Sequence, residues 1–251
     1  MAESPVLTVI IPVFNEVGTI AQVLDAVDRS RFSRQIVVVD DGSSDGSAAV
    51  VQAWMSNSGR DSRCELLRHP SNRGKGSAIR TALGRAEGRF VLIQDADLEC
   101  DPADYPLLLE PLLRGEADIV LGSRYLRPRG VAGLPLNRLF VILANLAVLA
   151  LFFRRITDEA GCYKVMATDL LRSLDLRCCR FEFCPEVVAK CCLLDLKFRE
   201  VQVRYTPRTV HEGKKIRFRD AVQAIATLVR WRMAGIRHLR PPRRSIDRGN
   251  V

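Results

Sequence analysis

Asp95, Asp97 and Glu99 stand at alternate positions in the stretch VLIQDADLEC (91–100), directly after an apolar segment. If that segment is a strand with a period of two, the three carboxylates leave on one face and repel one another unless something positive sits between them. Two carboxylates separated by one small residue at the mouth of a sheet make a hard-oxygen site that suits Mg2+ or Mn2+, particularly where a diphosphate supplies the remaining oxygens. For Glu99 and Asp101 a competing reading is a strand exit whose acids cap the helix beginning near DPADYPLLLEPLL. In DDGSSDGS, Asp40 and Asp41 end an apolar run where a base or ribose edge could receive hydrogen bonds, and Gly42 lets the backbone approach closely. The plainer reading is a capped strand-to-helix turn, with Ser43, Ser44 or Asp45 as the cap. NRGKG offers Arg73 and Lys75 on a glycine-rich loop able to face phosphates, or a solvated basic turn.

These clusters need a scaffold, and the first half of the chain supplies one. Apolar runs at LTVIIPVF, QIVVVD, CELLRHP, GRFVLIQDADLE and ADIVLGSRY read as buried strands, and they alternate with helical spacing such as EVGTIAQVLDAVDRS (16–30). That pattern predicts an α/β fold with a largely parallel central sheet flanked by helices, whose functional residues gather at the carboxyl ends of the strands. Four of those ends carry the polar clusters: PVFNE, DDGSSDGS, DADLE and GSRY. None contains GxGxxG or GxxxxGK[ST], so neither a dinucleotide fingerprint nor a P-loop applies.

The 251 residues suffice for one large domain with a short appendage, placed at 1–215 and 216–251. Charge is uneven: residues 196–251 hold 15 Lys and Arg against 4 Asp and Glu, while the rest is slightly acidic. That asymmetry suits an anionic surface or substrate near the tail. No base-reading motif or aromatic stacking array accompanies it, which argues against nucleic acid. Eight cysteines include two adjacent pairs, an arrangement awkward for disulfides and for structural zinc, so reduced thiols are expected. The opening apolar run reads as a strand and not as a secretory leader, which predicts a cytoplasmic chain. Residues 139–153 are apolar except for Asn145, and at about 1.5 Å per residue they fall short of a roughly 30 Å hydrocarbon layer. A helix lying in the plane of a membrane, a buried helix and a partner-facing helix are all compatible with this run, with Arg138, Arg154 and Arg155 able to reach phosphates from an interfacial position. A second helical pattern over 218–239 combines an apolar stripe with arginines, and the Pro/Arg-rich end after it reads as disordered.

Taken in order, VIIPVFNE, VVVDDGSSDGS, NRGKGSAIRTAL, DADLE and GSRY resemble the family 2 glycosyltransferases, especially the dolichyl-phosphate mannose synthase-like and polyprenyl-phosphate glycosyltransferase branch, over about residues 6–220. The resemblance implies a GT-A-type nucleotide-diphospho-sugar transferase fold. It implies that Pro12, Asn15, Glu16 and Asp41 line the base and ribose pocket and that Asp95, Asp97 and Glu99 form the metal and diphosphate site. Lys75 and Arg124 would approach the phosphates. TDEAGCYKV resembles the acceptor-side segment and places Asp158, Glu159 and Lys164 near the reacting groups; FCPEVVAK resembles the helix contributing Glu186. RYTPRTVHEGKKIRFRDAV resembles the basic segment that closes over donor and acceptor phosphates, with Arg208, His211, Lys214 and Lys215.

The expected activity is inverting transfer of a hexose, mannose or glucose, from a nucleoside diphosphate sugar to a polyprenyl monophosphate, with Mg2+ or Mn2+ and with the protein peripheral on the cytoplasmic face of a membrane. Asp97, Asp158, Arg208 and Lys214 are the candidate catalytic groups. A lipid monophosphate is already anionic near neutral pH and needs no general base, whereas a hydroxyl acceptor needs a carboxylate such as Asp158 or Glu159. The alternatives are a soluble transferase acting on a hydroxyl of a small molecule, polysaccharide or protein, and a non-catalytic nucleotide-sugar-binding module.

Overall fold

The structure, a computed structural model, describes residues 6–30, 34–57, 63–126, 136–208 and 218–238. Strands β1 (Leu7–Val13), β2 (Arg34–Asp40), β3 (Cys64–Arg68), β4 (Phe90–Ile93) and β5 (Ile119–Ser123) occupy the five expected runs. Two further strands, β6 (Lys164–Ala167) and β7 (Phe198–Gln202), complete a seven-stranded sheet in the order β3-β2-β1-β4-β6-β5-β7. Only β6 runs against its neighbours. Its start therefore lies at the same edge of the sheet as the ends of β4 and β5.

Both faces of the sheet are covered, which is why its strands are apolar throughout and do not alternate with polar residues. Val9, Ile11 and Val13 of β1 pack with helices α1 (Ile20–Asp28), α2 (Ser47–Asn57) and α4 (Tyr105–Leu113). Ile10, one position out of phase, faces the opposite core, built from α3 (Lys75–Leu83), α6 (Thr168–Ser173) and α7 (Phe183–Leu193) together with α5 (Leu136–Phe152) and α8 (Phe218–Ala234). Expected as part of an appendage, α8 instead belongs to this core: its Leu228 and Trp231 are buried. Residues 239–251, expected to be disordered, lie outside the described residues.

Helix α5 is docked rather than enclosed. Val141, Ala144 and Val148 are buried, while Leu139, Leu143, Leu146 and Leu149 are exposed and Phe153, just past its end, is 84% exposed. Met233 and Ile236, at and after the end of α8, are also exposed, Met233 by 82%. Among the described residues no helix is long and apolar enough to cross a membrane.

Candidate active site

Strand β4 ends at Ile93, and Asp95, Asp97 and Glu99 lie in the turns that follow, so a period of two along a strand is not what gathers them. The turn is pinned from both sides. Gln94 is fully buried; its Oε1 accepts from the hydroxyls of Tyr105 and Tyr163, each at 2.8 Å, and its Nε2 donates to the Asp95 carbonyl at 3.0 Å. From the other side Thr19 Oγ1 donates to the Ala96 carbonyl at 2.8 Å.

Cations already stand among the acids. Lys75, the first residue of α3, is ion-paired with Asp95. Arg208 donates to Asp97 Oδ2 at 2.7 Å and to the two Glu16 carboxylate oxygens at 3.0 and 3.3 Å, and its backbone N–H donates to Glu99 Oε1 at 3.0 Å. Three carboxylates thus share two cationic side chains, and a fourth, Glu99, is held by the Arg208 backbone. Burial and the neighbouring charges of Asp95 and Glu99 push Asp97 up to about 6, against the pull of Arg208. At Asp95, by contrast, burial raises the carboxyl but the Lys75 ammonium outweighs it and holds the group low. Asp95, Asp97 and Glu99, expected to hold the metal with a diphosphate, do not converge by themselves: among the described residues no three His, Cys, Asp or Glu side chains form a ready-made metal site. Glu99 is turned to the Arg208 backbone. The donors that remain, hard carboxylate oxygens in negative surplus, still fit a divalent cation better than a soft metal.

The β1 and β2 exits are laced together. Asn15, at φ 53°, accepts from the Ser44 N–H at 2.9 Å through Oδ1 and donates its backbone N–H to Ser43 Oγ at 3.0 Å. Asp45 caps α2 by accepting from the Ser47 N–H at 2.9 Å. Pro12 lies in β1 opposite Val39. Asp41, expected to face a base or ribose, does not: it is 2% exposed and both its oxygens are committed. Oδ1 meets His69 Nδ1 at 2.6 Å and the Arg73 N–H at 2.9 Å, and Oδ2 accepts the Gly74 N–H at 2.7 Å. Asp41 therefore shapes the loop that presents Lys75. Beside it opens a cleft of about 450 Å³ lined by Asp40, Gly42, Ser43, Arg68, His69 and Pro70. Gly42, at φ 74°, is required there, because a Cβ would stand 2.6 Å from the backbone of Ser71.

On the acceptor side the expected groups are mostly supports. Asp158 is fully buried and accepts from the Arg124 backbone N–H, Nε and Nη2 at 2.9, 2.7 and 2.8 Å. A carboxylate so enclosed and so paired is not placed to take a proton from a hydroxyl, which corrects its expected catalytic role. It instead holds the Arg124 guanidinium over the rings of Tyr125 and Tyr205, 5.3 and 5.1 Å from their centroids. Lys164 is 2% exposed and donates to the carbonyls of Glu159 and Gly161, at 2.9 and 2.6 Å, so it bolts the 158–161 turn to the sheet and does not reach outward. Glu186 is also corrected. It accepts from the backbone N–H groups of Arg177 and Cys178, at 2.9 and 2.6 Å, and pairs with buried Lys190 at 2.6 Å. It holds the 177–180 loop against the start of α3, where Gly76 and Ser77 donate to the carbonyls of Arg180 and Cys179. His211, Lys214 and Lys215 lie outside the described residues.

Three supporting residues were not foreseen. Gln94 and His69 each fix a residue of the site, and Glu200 accepts from the Thr157 N–H at 2.8 Å and the Asp158 N–H at 3.3 Å, under the same turn. Asn145 did give a signal, as the one polar residue in 139–153. It donates to the Thr157 carbonyl at 2.7 Å and accepts from the Glu159 N–H at 2.9 Å, tying α5 to the acceptor-side turn.

Known proteins resemble this chain in sequence and in fold. The chain is 26% identical over 187 residues to the dodecaprenyl-phosphate galacturonate synthase of Rhizobium johnstonii, covering 73% of this chain and 54% of that one. It is 28% identical over 246 residues to a dolichyl-phosphate beta-glucosyltransferase of Trichomonas vaginalis, covering 88% and 71%. It spans about half the length of the first curated relatives it matches. Among solved structures, glucosyl-3-phosphoglycerate synthase from Mycobacterium tuberculosis, in complex with Mn2+, UDP and glucosyl-3-phosphoglycerate, superposes with a TM-score of 0.67 at 22% identity, over 90% of this chain and 80% of that one. The fold is thus GT-A-like, a mixed sheet between helices. The model for "Glycosyl transferase family 2" matches residues 8–174, two thirds of the sequence, and the chain belongs to that family.

Proposed function

We propose that this chain transfers a sugar from a nucleoside diphosphate sugar, with a divalent cation held by Asp95 and Asp97. The observation that carries the reading is the negative surplus of Glu16, Asp95, Asp97 and Glu99 over Lys75 and Arg208, with a cleft of about 450 Å³ opening separately at the end of β2. When bound, Mg2+ or Mn2+ would neutralise charge that grows on the leaving diphosphate as the glycosidic bond breaks. The chain's own contribution is placement. Gln94 and Thr19 fix the acidic turn, Asp41 fixes the Lys75 loop, and Asp158 fixes Arg124, so that cationic groups face the phosphates without reorganising.

For the acceptor, the solved neighbours favour a hydroxyl on a small phosphorylated molecule: the Mycobacterium tuberculosis glucosyl-3-phosphoglycerate synthase is solved with Mn2+, UDP-glucose and phosphoglyceric acid. This is the alternative from the sequence, and it has more structural support than a polyprenyl phosphate. The polyprenyl reading is kept as a second one because two observations favour it. Asp158 is locked by Arg124 and offers no base, which an anionic phosphate oxygen does not need. The exposed apolar residues of α5 and the end of α8 form a surface suited to peripheral attachment on a bilayer, and curated relatives carry dolichyl- and dodecaprenyl-phosphate names.

The test is a matrix of UDP-glucose, GDP-mannose and related donors against phosphorylated hydroxyl acceptors and polyprenyl phosphate, with Mn2+ or Mg2+ and products read by mass. Transfer to a hydroxyl supports the first reading and a sugar-phosphate-lipid product the second. No donor turnover with any acceptor, or full turnover in Asp97→Asn, would refute the transferase reading.

A further inference from the structure

We infer that Arg208 is the resident counter-ion of the acidic site and that it gives up Asp97 to the divalent cation, so that guanidinium and metal hold the same carboxylate by turns. The inference rests on the cation reading proposed above and adds a residue that must move for it.

The geometry supplies both halves of the argument. The chain leading to Arg208 is fixed: the Val203 N–H donates to the Ser123 carbonyl at 3.0 Å, the Thr206 N–H donates to the Glu99 carbonyl at 2.9 Å, and Tyr205 bridges Cys100. Arg204 is anchored to Asp101 and Asp104 at 2.9 and 3.4 Å. The Arg208 backbone N–H is itself held by Glu99. The guanidinium is therefore the movable part. Its two Nη atoms reach Glu16 and Asp97, but its buried Nε has no partner among the described residues, so the pose is incompletely satisfied there. The side chain is 17% exposed against 15% for Asp97, which leaves the pair a path to solvent.

Electrostatics then forbids double occupancy. With Arg208 at 2.7 Å from Oδ2, a divalent cation on the same carboxylate would sit within a few ångströms of the guanidinium charge and be repelled by it. Lys75 meets the same repulsion at Asp95, and that contribution is common to wild type and the Arg208 variants, which therefore isolate the Asp97 half. A nucleoside diphosphate changes the balance, because it brings anionic oxygens that ligate the cation and accept the displaced guanidinium. Arg208 should thus oppose the bare cation and favour the cation together with diphosphate.

That sign reversal is the test. Mn2+ binding to the full chain is followed by loss of the free-ion electron paramagnetic resonance signal, without nucleotide and with UDP or GDP, in wild type, Arg208→Gln, Arg208→Lys and Asp97→Asn. Arg208→Gln is expected to bind Mn2+ alone about tenfold more tightly, the worth of one partly screened ion pair, and to lose most of the enhancement that nucleotide gives the wild type. Arg208→Lys, which keeps the charge and most of the stem, is expected to fall between the two, and it serves as the readout if thermal melting shows that Arg208→Gln is unfolded. Equal Mn2+ affinity in wild type and both Arg208 variants, or weaker binding in the variants, would overturn the exchange while leaving the cation site standing. Absence of Mn2+ binding in every protein, with and without nucleotide, would overturn the cation reading itself and the exchange with it.

Discussion

Glu159 offers a test of the site's electrostatics that requires no substrate. Its side chain is 1% exposed, and Oε1 is buried without a hydrogen-bond partner among the described residues. Burial pushes it from 4.5 up to about 7; Asp158 adds to the shift, and Lys164 and Arg124 oppose it. A carboxyl whose folded value is raised stabilises the fold fully below its unfolded value and loses that contribution as pH rises through the folded one, here between about 4.5 and 7. At roughly 1.4 kcal/mol per unit, the loss amounts to about 3 kcal/mol above pH 7. Glu159→Gln keeps the shape and removes the ionisation. Urea unfolding of the two proteins should differ by about 1 kcal/mol or less at pH 5, and the variant should be more stable by about 3 kcal/mol at pH 8. A difference independent of pH would refute the reasoning. So would a variant less stable than wild type at pH 8, since Glu159 would then be ionised and paired with Lys164.

Lys190→Met leaves Glu186 buried without its cation and should cost about 3–5 kcal/mol in chemical unfolding, with Glu186→Gln in the same chain recovering part of the loss. Gly76→Ala puts a Cβ 2.9 Å from the Cys178 carbonyl oxygen and should lower stability by about 1–3 kcal/mol, with a fall in donor hydrolysis because Lys75 shifts with it. Phe153→Glu combined with Met233→Glu removes the two most exposed large apolar side chains of the α5/α8 surface; sedimentation with anionic vesicles should drop while the melting temperature stays within about 2 °C.

The strands that could be read from the sequence were those whose apolar runs end in Gly, Ser and Asp clusters: β1 to β5. The strand β6 escaped because KVMA is only four residues long and begins on a buried lysine, and β7, FREVQ, has an exposed arginine at its second position and a glutamate that turns inward. The chemistry-bearing residues were found by type, but type does not tell a ligand from a support. Asp41, Asp158 and Glu186 all looked outward-facing in sequence and all proved to be buried and held by backbone N–H groups together with a basic side chain, a fact that depends on loops packed from 28 to 34 residues away in the case of Asp41 and Asp158. Asn145 was legible as an anomaly, and its partner Thr157 was not, because nothing local marks where a helix will meet a turn.

The reversed strand has a consequence for synthesis. β5 has no neighbour among the strands made before it: its partners are β6 and β7, which begin at residues 164 and 198. When residue 123 has left the ribosome, the edge of β4 and the whole of β5 are unpaired apolar backbone, and they remain so for at least forty more residues, at about 5–20 residues per second. During those seconds α5, also apolar, emerges before the strand that covers β4. The growing chain therefore presents its most aggregation-prone surfaces together, and a chain halted after β5 should be captured by chaperones where one halted after β7 is not.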